Sequence, residues 1–218
     1  MELLRRMQTL LAQLYDAPVR EDVQDFVLSD RRRLCEAVGE QAGEGADEQV
    51  FVVQDEQGVR LGLYIESGVL DRLARRDPLH ALEEDNLADF CTALEGVSHF
   101  HYLVWSLARG RNVSLLELEL QAEVDKYATA LALMTRQRAG SFPGALHARM
   151  FHAVSFLPQL DDVSRRRYEE ANRHAARFCR SLEERFLRAR RQRPEAWLAE
   201  LRRFFRWGHQ EKIRNLAV

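Results

Sequence analysis

With 218 residues, 46% of them hydrophobic and 30% charged, the chain is long enough for a substantial core and too apolar to stay unfolded. It contains no run of 18 apolar residues, and Met1-Glu2-Leu3-Leu4-Arg5-Arg6 does not open a signal peptide, so the expectation is a soluble, cytoplasmic protein with no membrane partner. The net charge of −2 hides a separation, residues 1–162 carrying −11 and residues 163–218 carrying +9, while Cys35, Cys91 and Cys179 lack the number and spacing of a disulfide framework or a thiolate zinc site.

Leu3, Leu4, Met7, Leu10, Leu11 and Leu14 recur on one helical face, and Pro18 ends that helix. Residues 21–38 read as helical, with Ser29 and Asp30 as a break and cap and Gly39 as the stop. Gln49–Gln54 and Val59–Ile65 are the only convincing strands, a β-hairpin that must lie on helices to be stable. A short helix from Ser67 to Leu73 follows, then a long one over roughly Glu84–Ala108, and one capped by Ser114 that reaches about Arg138. Residues 145–156 form a shorter helix. Asp161 or Asp162 starts one of about 30 residues, about 45 Å long, and Pro194 opens the last, Glu195–Trp207.

The fold class is therefore mainly α (α+β), an antiparallel helical bundle-like body with a single N-terminal β-hairpin packed on helices. Residues 1–80 form a small mixed layer and residues 81–218 the helical body with its basic C-terminal helices, without a clean linker between them.

Two constellations stand out. In LEGVSHFHYLVWSL, residues 94–107, the ionisable Glu95, His99 and His101 interrupt a helix that is otherwise apolar nearly all round. Helical geometry turns His101 to the main core and puts Glu95 and His99 one turn apart on an adjoining face. On the next helix Glu119 and Glu123 flank the stripe Leu116, Leu120, Val124, Tyr127, Leu131 and Met134, and are better candidates for partly buried groups than Glu117 or Asp125. If the two helices pack antiparallel, Glu95, His99, Glu119 and Glu123 form an oxygen-rich set suited to a divalent metal of the Mn, Fe or Mg class. The i, i+4 spacing of Glu95 and His99 differs from the Glu-x-x-His motif of carboxylate-bridged dinuclear sites. The competing reading is a hydrogen-bonded polar network that fixes helix register, with Lys126 neutralising an acid.

In the second constellation Arg166, Arg173, Arg177, Arg180, Arg188 and Arg191 gather on the outer side of the long C-terminal helix, and Trp197, Phe204, Phe205 and Trp207 add aromatics nearby. Such a surface fits a protein partner or self-association, and less well nucleic acid, for which no recognition motif is present. Only Lys126 and Lys212 are lysines, a bias that a GC-rich bacterial genome explains as readily as any demand for guanidinium chemistry. These patterns support an interaction or regulatory module acting through the Arg-rich C-terminal surface. A metal-dependent enzyme and a nucleic-acid-binding accessory protein are the alternatives.

Overall fold

The computed structural model describes residues 2–39, 42, 45–55, 58–140, 142–152, 161–187 and 193–216. Helix α1 (Glu2–Tyr15) leads through a 3-10 turn (Val23–Phe26) and a two-residue strand β1 (Val27–Leu28) to α2 (Arg31–Val38). Strands β2 (Glu48–Asp55) and β3 (Gly58–Ile65) follow, then α3 (Ser67–Arg75), α4 (Leu87–Leu107), α5 (Leu115–Gln137), α6 (Leu146–Phe151) and α7 (Asp162–Leu182). A π-helical turn (Glu183–Leu187) extends α7, and α8 (Pro194–Arg206) and α9 (His209–Leu216) complete the chain. No described helix is long and apolar enough to cross a membrane.

The chain is mainly α-helical, and β2 and β3 pair as an antiparallel hairpin. The sheet is nevertheless mixed, because β1 joins it in parallel to β3 through Val27↔Leu63 and Leu28↔Tyr64. Val27 was expected in a helix over residues 21–38. Two caps divide that segment instead: Asp22 accepts from the Gln24 amide and Asp30 from the Arg32 amide, freeing Val27 and Leu28 to extend. Other capping signals stand where the sequence puts them. Ser114 accepts from the Glu117 amide at the start of α5, and Asp161 accepts from the Val163 and Ser164 amides at the start of α7.

Helix α5 lies between α4 and α7 and is buried on almost every side. The pairs Tyr102–Glu117 and Ser98–Asp125 run in opposite directions along α4 and α5, as an antiparallel hairpin requires. The sheet packs on α4, and α1 packs on both α4 and α8, so the N-terminal helix and the helical body share a single core. Aromatic contacts seal the far end, where Tyr15 stacks on Phe205 at 4.4 Å between ring centres and Phe178 on Phe204 at 4.3 Å. Trp197, Phe204 and Phe205 are therefore core residues, and the C-terminal surface is basic without them.

Candidate functional site

Two polar clusters are buried on opposite sides of α5. Each contains one of the two lysines in the chain.

The first lies between α4, α5, α7 and the sheet. Glu95, His99 and Glu119 each bring a ligand atom to one place, all within 4.8 Å of one another. His99 Nε2 is 3.4 Å from Glu119 Oε2, out of line for a hydrogen bond, and its Nδ1 is 3.8 Å from Glu48 Oε1 on β2. Glu123 sits one step aside. Its carboxylate and that of Glu95 hold Lys126 Nζ between them at 2.8 and 2.7 Å. From α7, Arg167 Nε approaches Glu119 Oε1 at 3.7 Å, and the neighbouring Tyr168 phenol is pushed up by burial and by Glu119, Glu95 and Glu48.

The local chain explains why these elements can approach. Gly96 faces β2 and β3 from α4; a Cβ there would stand 2.7 Å from Leu63 Cδ1 and 2.9 Å from Glu48 Oε2. Glycine thus lets the hairpin press its acid against the helix, one turn from His99. Burial works against the charge on His99, yet the carboxylates of Glu119 and Glu48 outweigh it and hold the imidazole well above its ordinary range. Burial raises Glu48. In Glu95 burial is overcome by Lys126 and His99, leaving it lowered, whereas in Glu123 burial prevails over Lys126. Among the described residues, three polar atoms in this cluster are buried without a well-aligned hydrogen bond: Glu48 Oε2, His99 Nε2 and Arg167 Nε. A buried group left short of a hydrogen bond costs about 1–3 kcal/mol, less where an ion pair remains as His99 and Arg167 keep with Glu119, and that shortfall is the energetic opening for a ligand.

The second cluster faces α1, α4 and α9. Asp125 accepts from the Tyr15 hydroxyl at 2.5 Å, the Ser98 hydroxyl at 2.6 Å and Gln121 Nε2 at 2.6 Å. Gln121 Oε1 in turn accepts from Lys212 Nζ at 2.6 Å, and Lys212 also donates to the Tyr102 hydroxyl at 3.0 Å. Tyr102 donates to Glu117 at 2.5 Å, and Arg111 pairs with the same carboxylate at 3.1 Å. This corrects the expectation that Glu119 and Glu123 are the more buried acids. Glu117 and Asp125 are each 1% exposed, against 6% for Glu119, because α1 and α9 cover the side of α5 that the apolar stripe leaves polar.

Among the expected metal ligands, then, Glu95, His99 and Glu119 converge and Glu123 is engaged by Lys126. Glu48, on a strand, escaped the sequence reading, since nothing in its local pattern marks it as inward. His101 belongs to the core, 6.2 Å from Phe205 between ring centres; burial pushes it down to about 4. Of the basic stripe, Arg166, Arg173, Arg177 and Arg180 are exposed along α7, while Arg188 and Arg191 lie outside the described residues. Arg177 donates to the Leu216 carbonyl at 3.3 Å, and Arg180 stands 3.6 Å from Glu184 and 3.9 Å from Glu183.

No protein-family model, curated protein or solved structure matches the chain, so its function rests on this geometry.

Proposed function

We propose that the protein binds one divalent cation of the Mn, Fe or Mg class between α4, α5 and β2, with Glu95, His99 and Glu119 as ligands and Glu48 beside them. The observation that carries this reading is the convergence of Glu95, His99 and Glu119 within 4.8 Å, with His99 Nε2 buried among carboxylates from three elements and held by no well-aligned hydrogen bond among the described residues. Charge supports it. With the carboxylates of Glu48, Glu95, Glu119 and Glu123 ionised against the cations Lys126 and Arg167, and His99 neutral, the cluster carries two excess negative charges that a divalent ion balances. In its absence the His99 proton supplies part of that balance. Metal–ligand bonds of about 2.1 Å place opposite ligands at most about 4.2 Å apart, so binding draws a set that lies within 4.8 Å inward. Water reaching the partly exposed Glu48 and Glu95 would complete the coordination, and an exchangeable position of that kind is what a metal-dependent enzyme requires.

Protein purified without chelator and reconstituted with Mn(II) should hold one ion per chain by elemental analysis. His99→Ala and Glu119→Gln should each lower occupancy at least tenfold while remaining folded. At a free ion concentration a hundred times Kd, binding raises stability by about 2.7 kcal/mol, readable as a shift in the unfolding midpoint. A parent protein without bound ion or shift would end this reading.

The exposed row Arg166, Arg173, Arg177 and Arg180 favours a second role, docking of an acidic protein surface along α7. Arg166→Glu with Arg173→Glu tests it. The pair should reduce capture of acidic partners and leave the unfolding midpoint within about 1 °C, since exposed charges of this kind contribute little to stability. Unchanged capture removes the surface from consideration.

A further inference from the structure

A cavity of about 330 Å³ opens where the C-terminal turns of α5 meet the π-helical turn and the start of α8. None of its lining residues belongs to the proposed cation site. Leu131, Ala132, Phe142, Leu187 and Trp197 give it an apolar lining, and its size is at the lower end of small-molecule pockets.

Two features at its rim favour negative charge. Arg136, at the rim, is exposed and makes no ion pair or hydrogen bond among the described residues. Helix α8 begins at Pro194 on the cavity wall, and its N-cap, Arg193, supplies no side-chain cap. The amides of Glu195 and Ala196 are thus left without intrahelical partners at the positive end of a helix of 13 residues.

An apolar slot with a free guanidinium and a helix N-terminus at its rim matches a molecule with an anionic head and a hydrocarbon tail. We propose that this cavity is a binding site for an amphipathic carboxylate, its tail among Leu131, Phe142 and Leu187 and its head at Arg136 and the α8 N-terminus. A guanidinium pairs a carboxylate through two parallel hydrogen bonds, which suits a planar carboxylate head at Arg136.

The test titrates sodium decanoate, below its micelle concentration, into the full chain by calorimetry, with decan-1-ol and decyltrimethylammonium as comparators. Decanoate should bind saturably, one per chain. Decanol should bind at least about tenfold more weakly for want of the ionic contact, roughly 1.4 kcal/mol, and the cation should not saturate. Arg136→Glu should weaken decanoate by a similar factor. Ala132→Trp, which fills the slot from an exposed position, should abolish binding with an unchanged unfolding curve. The inference is overturned by absence of saturable decanoate binding, by equal affinity for all three probes, by indifference to Arg136→Glu, or by binding that survives Ala132→Trp.

Discussion

Asp125→Ala will lower the unfolding free energy by about 3–5 kcal/mol, the largest loss expected from any single side chain outside the hydrocarbon core. The carboxylate is 1% exposed and accepts from Tyr15, Ser98 and Gln121, so its removal strands three donors at once. It also cuts the link between α1, α4 and α5, because those donors come from all three helices. Asp125→Asn keeps the volume and one acceptor oxygen and should lose less than half as much. Burial pushes Asp125 up to about 6, so the folded protein takes up this proton more readily than the unfolded chain. Its contribution to stability therefore falls as pH rises from about 4 to about 6, and the deficit of Asp125→Ala relative to the parent should shrink over that window. Urea unfolding of the three proteins at pH 4, 5 and 7 reads both effects. A deficit below about 1 kcal/mol at every pH would show that the three donors find other partners.

The second large effect is a rise of stability with pH contributed by Lys212. This side chain is fully buried, its ammonium 4.3 Å from the Tyr102 ring centre and 4.7 Å from that of Phe204. Burial lowers it to about 7, against the opposing pull of Glu117 and Asp125. An unfolded lysine keeps its proton to about 10.4, so between about 7 and 10 the unfolded state binds more protons than the folded one, and stability climbs with pH. The full climb is on the order of 5 kcal/mol, at about 1.4 kcal/mol per pH unit. Lys212→Met removes the titration and keeps most of the apolar stem. The difference in unfolding free energy between parent and Lys212→Met, measured at pH 7, 8 and 9, should move in the parent's favour by about that slope. A difference independent of pH would mean that the amine stays charged in the folded state. Because α9 carries Lys212, the same measurement reports how firmly the C-terminal helix is seated.

Helices α1 and α5 are legible in the sequence because each repeats an apolar face over several turns, α4 because it is apolar nearly all round, and α8 because Pro194 opens it. Ser114, Asp30 and Asp161 are equally legible because a capping side chain acts on amides within three residues of itself. The strand β1 is not. Two residues carry no period, and they extend only because the edge of β3 is there to pair with them. Helix α9 was also missed, since His209–Leu216 has few apolar positions and is held by Lys212 and the Arg177 contact to Leu216.

For the candidate site, the spacing of Glu95 and His99 and the acids of α5 were sufficient to bring Glu95, His99 and Glu119 under suspicion together. Geometry on one helix at a time could go no further. Glu48 comes from a strand some 50 residues away in the chain, and only the close approach allowed by Gly96 brings it to His99. The two lysines of the chain are both buried in the two polar clusters, Lys126 as the ion partner of Glu95 and Glu123 and Lys212 as a hydrogen-bond donor to Gln121 and Tyr102.

Thus the amino-acid order by itself determined the helical class, the hairpin, the helix caps and the faces of α4 and α5, all consequences of interactions within a few residues. Which acids are buried was decided only in the tertiary structure. Glu117 and Asp125 lie off the apolar stripe of α5 and look solvent-facing until α1 and α9 close over them and supply their hydrogen bonds. Burial of an ionisable group depends on partners brought from distant parts of the chain, and those partners have no local signature.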